Sequence, residues 1–513
     1  MARIMLVDCD LAAMTKITKG TRETRVSERI VAMIAARREE MTDTTSTWSR
    51  QAITTDVTNE MAIGVVIAEI RAETTNAVVP KAPEAIGHLP HVKYHVCIND
   101  CIIYRGEDAE KTTCPVCKAS RYKRGSKKAP RKVVWYFPLT PRLQRYFADP
   151  KEAELMRWHA ERKRPEDEDP DKEPMLRHPS DASQWKAVDL EYYEQFGKEP
   201  RNLRLGVSTD GLNPFGSQSS KHSTWPVFVW PYNLPPWLCI KKRYITMSIL
   251  VQGPKQPGTD INLYLTLLKE ELATLWEDGA RTWDASAQDY FDMKAAVITT
   301  VQDYPGLGYF SGQVIQGFYA CVRCKDGTTY LQLQKDGSSK TVYPGSRRWL
   351  PMNHAWRKQG HLFDGTTEIR DRPEQRSGAE IDELLMNWKE CPAPGKSKKK
   401  TEPLLRVWKV RSVFWDLPYW KLLRVIHSLD LMHITKNICE SLLATILNMP
   451  EKTKDGPKAR NDLKQLGIRK DLQPPSSDDD VRSSSSLSED RETQNSRRRK
   501  GKKVKKAEAR ALD

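Results

Sequence analysis

The stretch Leu205-Gly206-Val207-Ser208-Thr209-Asp210-Gly211-Leu212-Asn213-Pro214-Phe215-Gly216 runs from an alternating apolar segment straight into a turn rich in Gly, Asn and Pro. It delivers one carboxylate, Asp210, to the end of a strand-like segment. Asp-Gly is by itself an ordinary turn signal. Whether Asp210 is more than a turn residue therefore depends on what surrounds it in the chain.

Leu203, Leu205 and Val207 alternate ahead of Asp210, and two further short β-prone runs follow. These are Trp225-Pro226-Val227-Phe228-Val229-Trp230 and Ile245-Thr246-Met247-Ser248-Ile249-Leu250-Val251, both bounded by Pro, Asn or Gly. Between Asp260 and Gly279, the residues Ile261, Leu265, Leu268, Leu272 and Leu275 recur at three- and four-residue steps. Asp260 stands where an N-cap belongs and Gly279 follows the last turn, so the spacing predicts an amphipathic helix. Residues 295–301 are β-branched again and lead into a second carboxylate in Val301-Gln302-Asp303-Tyr304-Pro305. Strand, strand, strand, helix, strand is the order of a ribonuclease H-like α/β core, which brings two strand-end acids together. Carboxylates held close repel, and a hard divalent ion such as Mg²⁺ or Mn²⁺ relieves this by accepting oxygens from both. A pair of such ions can activate water or a 3′ hydroxyl against a phosphodiester.

Composition is consistent with a polyanionic partner. The 513 residues carry 83 Lys and Arg against 67 Asp and Glu, a net charge of +16, which favours phosphate contact. The length allows two or three domains. No apolar run of about 18 residues is present, and the N-terminus lacks a charged-then-apolar signal pattern. The expectation is a soluble intracellular protein with no membrane partner. GxSxG, P-loop and GxGxxG motifs are all absent, so no rival enzyme class presents itself.

Most of the ten cysteines are paired at short spacing, which in a reducing compartment points to metal ligation. Cys97-Ile-Asn-Asp-Cys101 and Cys114-Pro-Val-Cys117 offer four thiolates as two knuckles, the pattern of a closed structural Zn²⁺ site. His91 and His95 lie nearby as competing ligands. A second pair, Cys321-Val-Arg-Cys324, supplies half a Zn²⁺ site, with His354 and His361 or His427 and His433 as possible partners.

The chain resembles the transposases of plant CACTA (En/Spm-type) DNA transposons. The resemblance rests on Ser208-Thr209-Asp210-Gly211-Leu212-Asn213-Pro214-Phe215-Gly216, Tyr232-Asn233-Leu234-Pro235-Pro236-Trp237, Gly253-Pro254-Lys255 and Leu275-Trp276-Glu277-Asp278-Gly279. Upstream it includes Tyr136-Phe137-Pro138-Leu139-Thr140-Pro141-Arg142-Leu143 and Met156-Arg157-Trp158-His159; downstream, Gly345-Ser346-Arg347-Arg348-Trp349-Leu350-Pro351 and Leu429-Asp430-Leu431-Met432-His433. About residues 85–473 are covered. The resemblance implies a DDE/D-type transposase that cuts and joins double-stranded DNA at transposon terminal repeats with Mg²⁺ or Mn²⁺. Asp210 and Asp303 would be its first two acids. It also implies more than one copy at paired ends, as a homo-oligomer or with a second transposon-encoded protein.

Asp430 is the tentative third acid. In the family the third acid and a His-x-x-x-His pair lie further along, and an acidic residue usually follows the His-Ile of this block, where Thr435 stands here. The resemblance therefore implies a C-terminally truncated relative with an incomplete catalytic triad. A domesticated, non-catalytic DNA-binding or chromatin protein is the alternative. The expected organisation is an N-terminal region 1–84 of unnamed role, a zinc-ribbon-like module over 85–130 and a connecting region over 131–200. The core then spans 201–473, with an insertion over about 315–400, and a disordered basic tail spans 474–513. The run from Arg497 to Lys506 in that tail reads as a nuclear localisation signal or a phosphate-binding segment.

Overall fold

The computed structural model describes residues 90–126, 128–162, 176–213, 223–335, 338–386 and 406–474. The N-terminal region 1–84, the Pro214-Phe215-Gly216 end of the opening stretch and the basic run from Arg497 to Lys506 lie outside them.

Eleven strands are described: β1 (Val92–Val96), β2 (Lys132–Tyr136), β3 (Leu203–Thr209), β4 (Trp225–Pro231), β5 (Thr246–Val251), β6 (Ala280–Asp284), β7 (Asp289–Met293), β8 (Ala295–Gln302), β9 (Leu331–Lys335), β10 (Ser338–Val342) and β11 (His427–Leu429). Seven of them form one mixed sheet in the order β1-β2-β5-β4-β3-β8-β11. From β1 to β3 every neighbour is antiparallel. From β3 through β8 to β11 the strands run parallel.

The strands form where apolar and β-branched residues are dense, because the sheet is buried on both faces. Leu203, Leu205, Val207, Val227, Ile249 and Val297 are fully enclosed. Gly206 is needed in β3: a Cβ there would sit 2.5 Å from the Trp230 indole. The chain also buries a cation. Arg204 donates to Asp189 Oδ1 at 2.6 Å and to the Asn202 carbonyl at 2.6 Å, with its guanidinium 4.4 Å from the Phe196 ring centre.

The helices that matter here are α1 (Leu139–Gln144), α2 (Ser183–Glu191), α3 (Ile261–Glu277), α4 (Tyr304–Ser311), α5 (Leu431–Ile446) and α6 (Pro457–Leu466). In α3 all five residues of the predicted stripe are at most 1% exposed, and Gly279 beyond its end adopts a left-handed φ of 74°. Asp260 precedes α3 but makes no side-chain cap hydrogen bond. Glu271 of α3 instead caps a neighbour. It accepts from the Leu139 N–H at 2.8 Å, the Thr140 N–H at 2.7 Å, the Thr140 hydroxyl and the Tyr136 hydroxyl, fixing the start of α1.

Three features depart from the sequence reading. The β6–β7 hairpin, inserted between α3 and β8, was not anticipated. Its polar residues serve inward contacts: fully buried Asp284 accepts from Arg157 at 3.1 Å and Arg201 at 3.3 Å. Strand β2, in the stretch read as connecting, joins the central sheet beside β5. The sequence from 438 to 447 reads as a helix that packs onto the sheet; it is helical to Ile446 in α5, but Ala444 is the only residue α5 buries, while Ile438, Leu442 and Ile446 remain exposed.

The described residues divide into two compact units, one within 90–328 and 374–439, the other within 329–373 and 440–474. The first holds the seven-stranded sheet. The second contains the β9–β10 hairpin and α6, joined by paired hydrogen bonds between Gln334 and Gln465 at 2.7 and 2.8 Å. Its centre is organised by two buried arginines: Arg357 donates to the carbonyls of Arg348, Leu350, Glu368 and Arg370, and Arg347 pairs with Asp364 at 2.5 Å. No helix among the described residues is long and apolar enough to cross a membrane.

Candidate active site and cysteine centre

The three adjacent parallel strands end level with one another. Val207 of β3 stands opposite Thr300 of β8, and Gln302 of β8 stands opposite Leu429 of β11. The residue after each strand is an acid: Asp210 after Thr209, Asp303 after Gln302 and Asp430 after Leu429. One end of the sheet's parallel half therefore carries all three acids singled out in the sequence.

They share an electrostatic environment. Burial raises the Asp210 carboxyl above its ordinary value, Asp303 adds to that rise and Asp430 contributes further, while the Gly211 N–H and His433 oppose it. His433 thus belongs to the surroundings of Asp210 on α5. Each carboxylate also accepts a local main-chain donor: Gly211 N–H to Asp210 at 2.6 Å, Gly306 N–H to Asp303 at 2.6 Å, and Met432 and His433 N–H to Asp430 at 2.9 and 3.2 Å. Asp303 and Asp430 begin α4 and α5 in this way, so two helix N-termini converge on the same edge.

The donor set is all carboxylate oxygen, which suits a hard divalent ion; burial is the main cause of the raised Asp210 carboxyl, and the part due to Asp303 and Asp430 is repulsion that such an ion would relieve. The oxygens are not drawn into a ligand cage, however. Among the described residues, no three acids bring their ligand atoms within 4.8 Å of one another. Holding an ion would require these side chains to draw closer together, and the Oδ2 of each carboxylate could turn to it while Oδ1 keeps its main-chain donor.

Gln302 was not singled out in the sequence. It is 1% exposed, its Oε1 accepts the Thr209 N–H at 2.9 Å, and its carbonyl accepts the Asp430 N–H at 2.7 Å. A glutamine beside an acid carries no sequence signal, because its role depends on strand pairing.

Cys97, Cys101, Cys114 and Cys117 form the one group of three or more His, Cys, Asp or Glu among the described residues whose ligand atoms all lie within 4.8 Å. The cluster sits on the excursion between β1 and β2, with Cys97 Sγ 3.4 Å from Cys117 Sγ. Each knuckle turns through a left-handed residue, Asp100 at φ 55° and Lys118 at φ 61°. Asp100 anchors its knuckle to the core, accepting from Lys132 at 2.5 Å and from the Tyr264 hydroxyl of α3. The Cys117 thiol is lowered to about 6, first by the Ala119 N–H and then by the Asn99 amide, whereas burial raises Cys97 and Cys101. Four convergent sulfurs fit Zn²⁺ or a similar soft-tolerant ion. His91 and His95 are outside this cluster; His95 Nδ1 accepts from Arg121 Nε at 2.8 Å.

Cys321 and Cys324 remain a pair. The Cys324 N–H donates to Cys321 Sγ at 3.3 Å, and the Cys321 thiol is lowered to about 6, chiefly by Cys324. None of the histidines considered as partners joins them in a ligand group among the described residues. His427 is engaged elsewhere, with Nδ1 2.8 Å from the Thr300 hydroxyl and its ring beside Phe310 and Trp420. His354 accepts the Trp356 N–H at 3.1 Å.

Comparison with known proteins gives one family. Residues 173–387 match the sequence model of a family described as Transposase family tnp2, which supports a transposase-like role in transposition. The matched span contains Asp210, Asp303, Cys321 and Cys324, and ends before Asp430. No curated protein matches the chain.

Proposed function

We propose that the chain is a DDE/D-type transposase of the CACTA (En/Spm) kind, built on a ribonuclease H-like core, that cleaves and joins DNA at transposon ends. The observation that carries this reading is the set of three carboxylates, Asp210, Asp303 and Asp430, at the ends of three adjacent parallel strands. The sheet order supports the ribonuclease H-like assignment: an antiparallel β5-β4-β3 meander continues into parallel β8 and β11. The match over residues 173–387 supports the transposase assignment.

In this reading Asp210, Asp303 and Asp430 hold Mg²⁺ or Mn²⁺. Such ions, when bound, favour the attacking water or 3′ hydroxyl and the departing oxygen of the phosphodiester. The protein's own contribution is placement. Strand register sets the three acids level, main-chain donors of α4 and α5 orient two of them, and burial together with Asp303 raises the Asp210 carboxyl above its ordinary value. The four-cysteine cluster holds a structural Zn²⁺ that fixes the β1–β2 excursion. The net charge of +16 favours double-stranded DNA. A nuclear location and a homo-oligomer or second transposon-encoded partner belong to the same reading.

The test is strand cleavage of a labelled duplex carrying candidate terminal repeats, in Mg²⁺ or Mn²⁺ against EDTA. Metal-dependent nicking that is lost in Asp210→Asn and Asp303→Asn is the expected result. Salt-sensitive DNA binding with no nicking in any form would favour the non-catalytic DNA-binding alternative. The spread of the three carboxylates, whose ligand atoms are not drawn together within 4.8 Å, is the feature consistent with that alternative.

A further inference from the structure

We infer that Gln302 is the positioning residue of the acid cluster, a single buried side chain and carbonyl that tie together the three strand ends carrying Asp210, Asp303 and Asp430. This inference rests on the proposed metal-binding role of those acids. Gln302 is the last residue of β8, and Asp303 is its neighbour in the chain. Its carbonyl accepts the Asp430 N–H at 2.7 Å, which fixes the start of α5 against β8. Its Oε1 accepts the Thr209 N–H at 2.9 Å, one residue before Asp210.

The second contact is unusual in kind. The paired positions of β3 and β8 run only to Val207 opposite Thr300. Beyond that point the Gln302 side chain, rather than the β8 main chain, holds the end of β3. The amide orientation follows from the partner, because a backbone N–H can only donate and must face oxygen. Its space is set by Gly306 of α4: a Cβ there would lie 3.6 Å from Gln302 Oε1, 3.2 Å from the Thr209 carbonyl and 2.7 Å from Asp303 Oδ1.

The amide is also a costly choice for a purely structural position. Gln302 Nε2 is buried and makes no hydrogen bond among the described residues, a penalty that an apolar side chain of the same size would avoid. What the amide supplies, and an apolar residue does not, is the acceptor for Thr209 and hence the placement of Asp210. Residues that orient metal-binding side chains in this manner typically change metal affinity by about 10- to 100-fold when removed.

The experiment is Mn²⁺ binding to the full chain, read by electron paramagnetic resonance of free Mn²⁺, for wild type, Asp210→Asn, Gln302→Met and Gln302→Glu, with thermal unfolding of each. The expected result is that wild type binds and Asp210→Asn does not. Gln302→Met, which removes the acceptor at nearly constant volume, should then weaken binding by at least about tenfold while keeping a cooperative unfolding transition. Gln302→Glu, which keeps an acceptor for the Thr209 N–H, should bind within about threefold of wild type at pH 7. Gln302→Met binding like wild type, with Asp210→Asn still inactive, overturns this inference and leaves the acid site intact. No Mn²⁺ binding by wild type overturns the acid site and this inference with it. If Gln302→Met does not fold, Gln302→Glu decides: folded and binding supports the inference, folded and as weak as Asp210→Asn overturns it.

Discussion

The backbone N–H of Asp430 donates to the carbonyl of Gln302 at 2.7 Å, and Gln302 immediately precedes Asp303. Two acids separated by a long intervening stretch are thereby held one hydrogen bond apart in the main chain. The Thr209 N–H, donated to the Gln302 side chain at 2.9 Å, brings in the third. The consequences can be measured without knowing which DNA the protein binds.

Asp210→Asn should stabilise the protein at neutral pH. Burial, then Asp303, raises the Asp210 carboxyl above 3.8. A raised acid favours the folded state at low pH and loses that contribution as pH rises through the folded value. Ionised Asp210 therefore opposes folding at pH 7. Thermal unfolding in EDTA should show a higher Tm for Asp210→Asn at pH 7 and a smaller difference at pH 4.

Purified protein should carry one equivalent of Zn²⁺ on Cys97, Cys101, Cys114 and Cys117. Metal analysis of Cys114→Ser, which removes a fully buried ligand, should show that equivalent lost. A strong chelator should lower the Tm of wild type and leave that of Cys114→Ser unchanged, because metal bound to a folded site adds its binding free energy to stability.

Glu271→Ala should be costly far from the acids. It removes the shared acceptor of the Leu139 and Thr140 N–H groups and of the Thr140 and Tyr136 hydroxyls. Urea unfolding should show a loss of roughly 2–3 kcal/mol, the size expected for hydrogen bonds to a half-buried charged group. Glu271→Gln should lose less, since its amide oxygen still accepts.

Stability should fall as the solution is acidified below pH 6.5. Burial, then Arg162, lowers His178 to about 4, and burial lowers His159 to about 3. Neutral His178 accepts the Ser180 N–H on Nδ1 at 3.1 Å and donates from Nε2 to the Leu234 carbonyl at 3.1 Å. A base with a lowered folded pKa leaves stability intact above its unfolded value and erodes it between the two values. Each histidine contributes a slope of at most about 1.4 kcal/mol per pH unit. Urea unfolding at pH 7 and pH 5 should show this drop, reduced in His178→Asn.

Much of the core was legible because local pattern and tertiary role agree there. The α3 stripe of Ile261, Leu265, Leu268, Leu272 and Leu275 is the buried face, β4, β5 and β8 fall within a residue of the predicted runs, and β3 starts at Leu203 and runs two residues past Val207. Asp210 and Asp303 could be placed at strand ends because sequence rich in Gly and Pro follows both, reading as a turn after Asp210 and forming the first turn of α4 after Asp303. The level position of Asp430 could not, since β11 has three residues and its pairing with β8 spans the whole stretch between them. The β6–β7 hairpin was hidden by polar residues that turn inward, Thr282 and Asp284 among them. Periodicity marked α5 as a helix but could not show that Ile438, Leu442 and Ile446 would stay exposed. The paired cysteines were clear where four converge and remain half a site at Cys321 and Cys324.

The central claim is that Asp210, Asp303 and Asp430 act as one divalent-metal site. Calorimetric titration of Mn²⁺ into wild type and into the Asp210→Asn, Asp303→Asn and Asp430→Asn variants tests it most directly. The account predicts saturable binding to wild type that each substitution weakens by at least tenfold. Binding to Asp430→Asn that matches wild type would contradict it, because the acid on β11 would then stand beside the site without belonging to it.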